Sequence, residues 1–333
     1  MELQQRNGSS RACAVVLGGA GFIGSRLCEV LLAQGYDVVS VDNESTGRSQ
    51  NVGHLFTDPA FRCLPWDVTE PFDVPGRVDL VLCLASPASP VHYLALPIET
   101  MKAGSLGTLH GLELAERKHA RFVLASTSEV YGDPTEHPQR ESYWGNVNPI
   151  GPRAVYDEAK RFAEALTSAY RRDRGVDTAI VRIFNTYGPR MRTDDGRAVP
   201  TFIGQALRGG PLTVAGDGSQ TRSLCYVDDT VAGIVRMALS RHTGPVNIGN
   251  TAEISMLGLA RDIVELTGTS AAIEYVDRPV DDPGQRCPDT SLAQRLLGWH
   301  PTTPRDAGLA KTVAWMRTAA AAEAVIPAAA VRP

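Results

Sequence analysis

Tyr156 and Lys160 stand four residues apart in NPIGPRAVYDEAKR (148–161), directly after a turn closed by Pro149, Gly151 and Pro152. At i and i+4 they share one face of a helix, a spacing that ordinary surface packing also produces. A phenol with a reference pKa of about 10 is a poor base near neutrality, but a nearby positive charge favours its phenolate. Together the two side chains have the makings of a general base. Thr127, Ser128 and Glu129, in STSEVYGD (126–133), follow the apolar run RFVLAS and so fall where a strand ends. A hydroxyl at that place can hydrogen-bond the oxygen whose proton the tyrosine removes. Capping of the strand end is the ordinary alternative.

Such side chains need a rigid scaffold, and the hydrophobic pattern predicts one. Short Val-, Leu- and Ile-rich runs at 12–17, 37–42, 78–85, 121–126 and 177–184 read as strands, and 22–34, 98–118 and 152–174 read as helices. Their alternation predicts an α/β fold, a Rossmann-type doubly wound parallel sheet. VVLGGAGFIGSRL (15–27) places Gly18, Gly21, Phe22, Ile23 and Gly24 between the first strand and its helix. Glycines there let a cofactor pyrophosphate approach backbone N–H groups at the positive end of the helix. Asp42 ends the next strand, where a carboxylate accepts both ribose hydroxyls, with Asn43 beside it. A carboxylate repels a ribose 2′-phosphate, so NAD is expected rather than NADP, although the nearby Arg48 is of a type that offsets such repulsion. Asp67 and Val68 follow a possible third strand; Asp67 either meets the adenine or caps a turn. Leu84 lies at the end of the 78–85 run and belongs to the same expected pocket.

These boundaries predict an NAD-binding Rossmann domain over 12–188 and a smaller C-terminal lobe, mainly substrate-binding, over 189–317. A helix and strand within 226–249 are expected to return to the first domain. The low-complexity end, 318–333, is expected to be frayed or disordered. At 333 residues, with 43% hydrophobic and 21% charged residues, the composition is that of an ordinary globular protein. A formal net charge of −4 and the lack of a basic stripe argue against nucleic acid as a partner. The sequence contains no apolar run long enough to span a bilayer and no paired cysteine spacing of a metal site. Six scattered cysteines and a polar start point to a soluble protein of the cytoplasm.

The glycine loop, LASPASP (84–90), STSEVYGDP, YWGNVNPIGPRAVYDEAKR, RIFNTYGPRM (182–191), GDGSQTRSLCYVDD (216–229) and DDPGQRCPD (281–289) together resemble an extended short-chain dehydrogenase/reductase. More narrowly they resemble the UDP-glucuronic acid decarboxylases, over about residues 13–316. The resemblance implies oxidation at C4 of a UDP-sugar, loss of the C6 carboxylate, and reduction to UDP-xylose on the same NAD. Tyr156, Lys160, Thr127, Ser128, Glu129 and Arg286 would be catalytic. Tyr93, Glu129, Asn185, Arg190, Arg222 and Arg286 would bind the substrate, and a homodimer through the helices at 98–118 and 152–174 is implied.

Related 4,6-dehydratases carry Asp-Glu where this chain has Ser128-Glu129, and serine is a poor acid for expelling a hydroxyl. Several positions depart from the family pattern. Gly104 stands where an asparagine is usual, Cys83 replaces a histidine, Cys287 replaces a basic residue after Arg286, and Val155 precedes the tyrosine where cysteine is frequent. Gly104 and Cys287 lead to the expectation that part of the product leaves as UDP-4-keto-xylose. The competing readings are a UDP-uronate 4-epimerase and a non-catalytic NAD-binding protein.

Overall fold

A computed structural model describes residues 11–279 and 282–325. The first half of the chain alternates strands and helices: β1 (Cys13–Leu17), α1 (Phe22–Ala33), β2 (Asp37–Asp42), β3 (Phe61–Pro65), β4 (Leu80–Cys83), α2 (Pro90–Ala95), α3 (Pro97–Lys102), α4 (Thr108–Lys118), β5 (Arg121–Thr127), α5 (Ala154–Arg174) and β6 (Thr178–Ile183). Strands β1, β4 and β5 are buried along their whole length, which is why they read as unbroken apolar runs rather than alternating ones. Helix α5 ends with Arg171, Arg172 and Arg174 in its last turn and Gly175 in the left-handed conformation, a cationic close that suits the negative helix end.

The second half contributes β7 (Thr186–Tyr187), α6 (Ala198–Leu207), β8 (Leu212–Ala215), β9 (Thr221–Ser223), β10 (Cys225–Tyr226), α7 (Val227–Leu239), β11 (Val246–Ile248), β12 (Glu253–Ser255), α8 (Met256–Thr267), β13 (Ile273–Val276), β14 (Gln285–Arg286), α9 (Ser291–Leu297) and α10 (Arg305–Val325). Seven strands form the central sheet in the order β11-β6-β5-β4-β1-β2-β3, with every pair parallel. The chain order reverses between β1 and β4. Ligands of open α/β sheets bind in the crevice beyond the strand ends at such a point. Strand β11 pairs with β6 and so joins the Rossmann sheet from late in the chain.

Two expectations need correction. The helix expected over 98–118 is interrupted by a π-helical turn at Ala103–Gly107, which separates α3 from α4. Helix α10 continues to Val325, so the frayed tail expected from residue 318 is helical that far; 326–333 lie outside the described residues. Poly-alanine favours helix strongly enough to explain this extension.

Candidate active site

Strand β5 delivers Thr127 to the carboxyl edge of the sheet, and α5 lays Tyr156 and Lys160 beside it. Thr127 caps the turn that follows, its Oγ1 accepting from the Glu129 N–H at 3.2 Å. The same hydroxyl lies against the Tyr156 phenol and favours its ionisation. Burial works the other way and pushes the phenol well above its ordinary pKa. Lys160 is also buried, which lowers its pKa, and its Nζ donates to the Ala125 carbonyl at 2.9 Å while lying 5.9 Å from the centre of the Tyr156 ring. One of its three donors is thus spent on the strand, and the ammonium remains beside the phenol ring. Arg197, held by Asp195 at 2.5 and 2.7 Å, contributes a positive charge that favours the phenolate.

Glu129 sits between two arginines. Arg153 Nη2 donates to its Oε2 at 2.5 Å, and Arg286 Nη1 donates to Oε1. These two charges overcome burial and hold the Glu129 carboxyl well below the ordinary carboxylate range. Arg286 is 4% exposed, yet its Nη2 has no hydrogen-bond partner among the described residues, and the residue lines a cleft of about 600 Å³. Tyr93 lines the same cleft with its hydroxyl likewise buried and unpartnered. Two unpartnered donors on residues that line one cleft suit an anionic or hydroxylated ligand.

The cleft is walled by Gly18, Gly21, Phe22, Ile23, Gly24, Leu84, Thr127, Ser128, Tyr156, Lys160, Asn185, Arg190 and Arg222, and a second hollow of about 370 Å³ beside Asp42, Asn43, Asp67 and Val68 shares Gly18, Gly21 and Leu84 with it. A dinucleotide fits this continuous groove. Gly21 stands at the start of α1 with no side chain capping the helix, which leaves the first-turn N–H groups open to a pyrophosphate. Gly18 has φ +82°, and an added Cβ would lie 2.8 Å from the Ala85 backbone nitrogen. Asp42 accepts from Ala20 N at 2.9 Å and Glu44 N at 2.8 Å, so each carboxylate oxygen retains a lone pair for a ribose hydroxyl. Asp67 accepts from Thr69 N at 2.8 Å, as a turn aspartate does, and also lines the second hollow.

Arg222 and Arg190 both line the cleft, each held by a carboxylate of its own. Arg222 is buried against Asp282, two contacts of 3.0 Å, on the far wall of the cleft. Arg190, at φ +73°, binds Glu29 and Ser25 of α1 and thus stands at the cofactor-loop end.

The chain matches the model of the NAD dependent epimerase/dehydratase family over residues 14–249. It is 51% identical over 310 residues to UDP-glucuronic acid decarboxylase 1 of Arabidopsis thaliana, spanning 93% of this chain and 71% of that protein. The chain belongs to the UDP-glucuronic acid decarboxylase family. UDP-glucuronic acid decarboxylase 1 of Xenopus tropicalis is 50% identical over 303 residues, 91% of this chain and 72% of that protein. The solved structure of UDP-glucuronic acid 4-epimerase from Bacillus cereus in complex with UDP-glucuronic acid and NAD has a TM-score of 0.82 at 28% identity, covering 92% of this chain and 99% of that one.

Within this decarboxylase, sequence reasoning missed Arg153, Asp157 and Arg197. Arg153 precedes Tyr156 by one helical turn, so the i, i+3 spacing carried a usable signal. Arg197 carried none, because a loop distant in sequence delivers it. The departure at Gly104 has a packing cause. A Cβ there would meet the Ala159 Cβ at 2.7 Å and its carbonyl oxygen at 3.0 Å, so the π-helical turn rests directly on α5. Cys83 is buried close to Lys160 and Thr108.

Proposed function

We propose that this chain converts UDP-glucuronic acid to UDP-xylose and carbon dioxide through a UDP-4-keto intermediate, and that the residues described above perform it. The observation that carries the reading is the buried Arg286, which lines the cleft, is bound to Glu129 through one nitrogen and has no partner for Nη2 among the described residues. NAD, when bound, supplies the reversible hydride acceptor for C4. Tyr156 takes the C4 hydroxyl proton, with Thr127 hydrogen-bonded to the same oxygen and Lys160 holding the base in place from behind. Once C4 is a ketone, the C6 carboxylate is β to it and leaves as carbon dioxide. Tyr156 and Thr127 then hold the enolate oxygen by hydrogen bonds. Arg286 orients the departing carboxylate, and Glu129, pinned between its arginines, positions the group that protonates C5. Tyr156 returns its proton as the ketone is reduced.

Residues 189–317 supply most of the substrate lobe in this reading, with Arg222, Arg190, Asn185 and Tyr93 binding the UDP-sugar. The proposal includes a homodimer. Ile98 and Met101 of α3 and Phe162 of α5 are exposed apolar side chains on neighbouring helices, a face suited to a second copy. Six unpaired cysteines support a reducing compartment such as the cytoplasm. Incubation with UDP-glucuronate and NAD, followed by mass analysis of sugar and gas, tests the reading. UDP-pentose with carbon dioxide is expected; UDP-galacturonate without carbon dioxide would overturn it in favour of epimerisation. We further propose that part of the product leaves as UDP-4-keto-xylose, which NMR of the hydrated ketone would detect.

A further inference from the structure

Arg286 lines the cleft, whereas its neighbour Cys287, which departs from the family pattern, lies just past the strand and outside that lining. There its thiol meets His137 and Glu253. We propose that His137, Glu253 and Cys287 form a binding site for a zinc-class divalent cation, behind the arginine and outside the active-site cleft. The inference does not depend on which reaction the cleft performs.

One imidazole nitrogen, the thiol sulfur and one carboxylate oxygen lie within 4.8 Å of one another, and His137 Nε2 is already 3.0 Å from Glu253 Oε2. In a tetrahedral zinc site, metal–nitrogen distances near 2.0 Å and metal–sulfur distances near 2.3 Å set the ligand atoms about 3.3–3.8 Å apart. Side-chain rotation by about an ångström closes the set. A thiolate with an imidazole selects zinc, cobalt or a similar borderline ion over magnesium or calcium.

The ligands arise from three segments that the fold ties together. Gln139 N donates to the Cys287 carbonyl at 2.9 Å, and Cys287 N donates to Gln139 Oε1 at 2.9 Å, which fixes the His137 segment against β14. Glu253 begins β12, and both β12 and β14 pair with β9. Two further groups have the character of a supporting shell. Thr221 Oγ1 donates to Glu253 Oε1 at 2.6 Å, leaving Oε2 for a metal. Ser223 Oγ, in a residue 1% exposed, has no partner meeting hydrogen-bond geometry and lies beside the Cys287 sulfur, where it would donate to a thiolate. That buried hydroxyl is the independent observation: a thiol sulfur offers it only a weak acceptor, whereas a metal-bound thiolate offers a strong one. The Thr251 carbonyl, 3.5 Å from the sulfur, or a water completes four ligands. His137 and Glu253 are partly open to solvent and give the ion its route in. Binding forms one metal–sulfur bond and releases the thiol proton to solvent, with no change of oxidation state.

Cobalt(II) titration of the chelator-treated full chain tests the site, read by the ultraviolet sulfur-to-cobalt charge-transfer band and by displacement with zinc. One cobalt per chain with that band is expected. Cys287→Ser should abolish the band, and His137→Ala, a change at an exposed side chain that leaves the fold intact, should weaken binding about tenfold or more, with Ser223→Ala weakening it about tenfold. Absence of the band from the parent chain, or its persistence in Cys287→Ser through another cysteine such as the exposed Cys63, would overturn the proposal.

Discussion

Tyr93 lies flat against Tyr156, the ring centroids 5.3 Å apart and the planes within 8° of each other. The stack fixes the phenol of α5 from the α2 side, while Arg153 lies 5.9 Å from the centre of the Tyr93 ring. Aromatic packing and the ion pairs around Glu129 thus form one continuous unit behind the reacting centre.

Replacing Tyr93 should separate its packing from its hydroxyl. Tyr93→Phe keeps the stack and removes a buried hydroxyl that has no partner among the described residues, so thermal stability should hold or rise slightly. A KM increase for UDP-glucuronate with unchanged stability would mark the hydroxyl as a substrate contact. Tyr93→Ala removes the stack as well and should cost about 3–5 kcal/mol of stability. Equal KM in Tyr93→Phe and the parent would remove Tyr93 from the substrate site.

The roles of Tyr156 and Arg286 should separate in time. Tyr156→Phe removes the base and should slow C4 oxidation by about 10²- to 10⁴-fold. Arg286→Ala leaves Tyr156, Thr127 and Lys160 in place, so reduced cofactor should still form while carbon dioxide release slows. Stopped-flow absorbance of the reduced cofactor beside a carbon dioxide assay reads both steps. Equal loss of the absorbance transient in the two variants would defeat this division of labour.

Long-range pairing explains what the sequence disclosed and what it withheld. β1, β2, α1 and Asp42 were legible because the phosphate loop is local: its glycines, strand and helix lie within one short stretch. The helix carrying Tyr156 and Lys160 was legible, and the spacing put both on one face of it. Lys160's commitment to the Ala125 carbonyl was not, since it depends on how closely α5 rests on β5. The clamp on Glu129 joins residues 129, 153 and 286, and only tertiary packing brings the third to the first two. The π-helical turn at 103–107 was hidden for a related reason. Its residues have helical character, and only the folded chain shows that Gly104 within it rests closely on Ala159.

That contact makes a prediction about Gly104. Asparagine is usual at this place in relatives, and Gly104→Asn would be the obvious way to restore it. Here its Cβ would meet the methyl of Ala159 at 2.7 Å, a group with no rotamer to give way. The variant should lose about 1–3 kcal/mol of stability through displacement of α5 and should not improve turnover. Urea unfolding checks the first part, and the ratio of UDP-4-keto-xylose to UDP-xylose the second. A stable variant with a smaller keto fraction would show that α5 adjusts freely.

Asp157, next to the base, should give the protein a pH-dependent stability of unusual sign. Its carboxyl is buried with Oδ1 unpartnered, and burial, followed by the charge of Glu129, raises its pKa from 3.8 towards neutrality, against the lowering effects of Arg153 and Arg286. Below the unfolded pKa of 3.8 both states hold the proton, and the neutral acid imposes no penalty. As pH rises towards neutrality, the unfolded chain releases the proton while the folded chain retains it, so this group's contribution to stability falls throughout that window. Each unit of displacement corresponds to about 1.4 kcal/mol, an upper bound where Glu129 shares the response. Asp157→Asn keeps the shape and removes the titration. Between about pH 5 and about pH 8 the melting temperature of the parent should therefore fall relative to that of Asp157→Asn, the reverse of a salt-bridged carboxylate. A parent that gains stability relative to the variant over the same range would mean that Arg153 and Arg286 hold Asp157 ionised, and that the positive charge beside Glu129 is shared between two carboxylates.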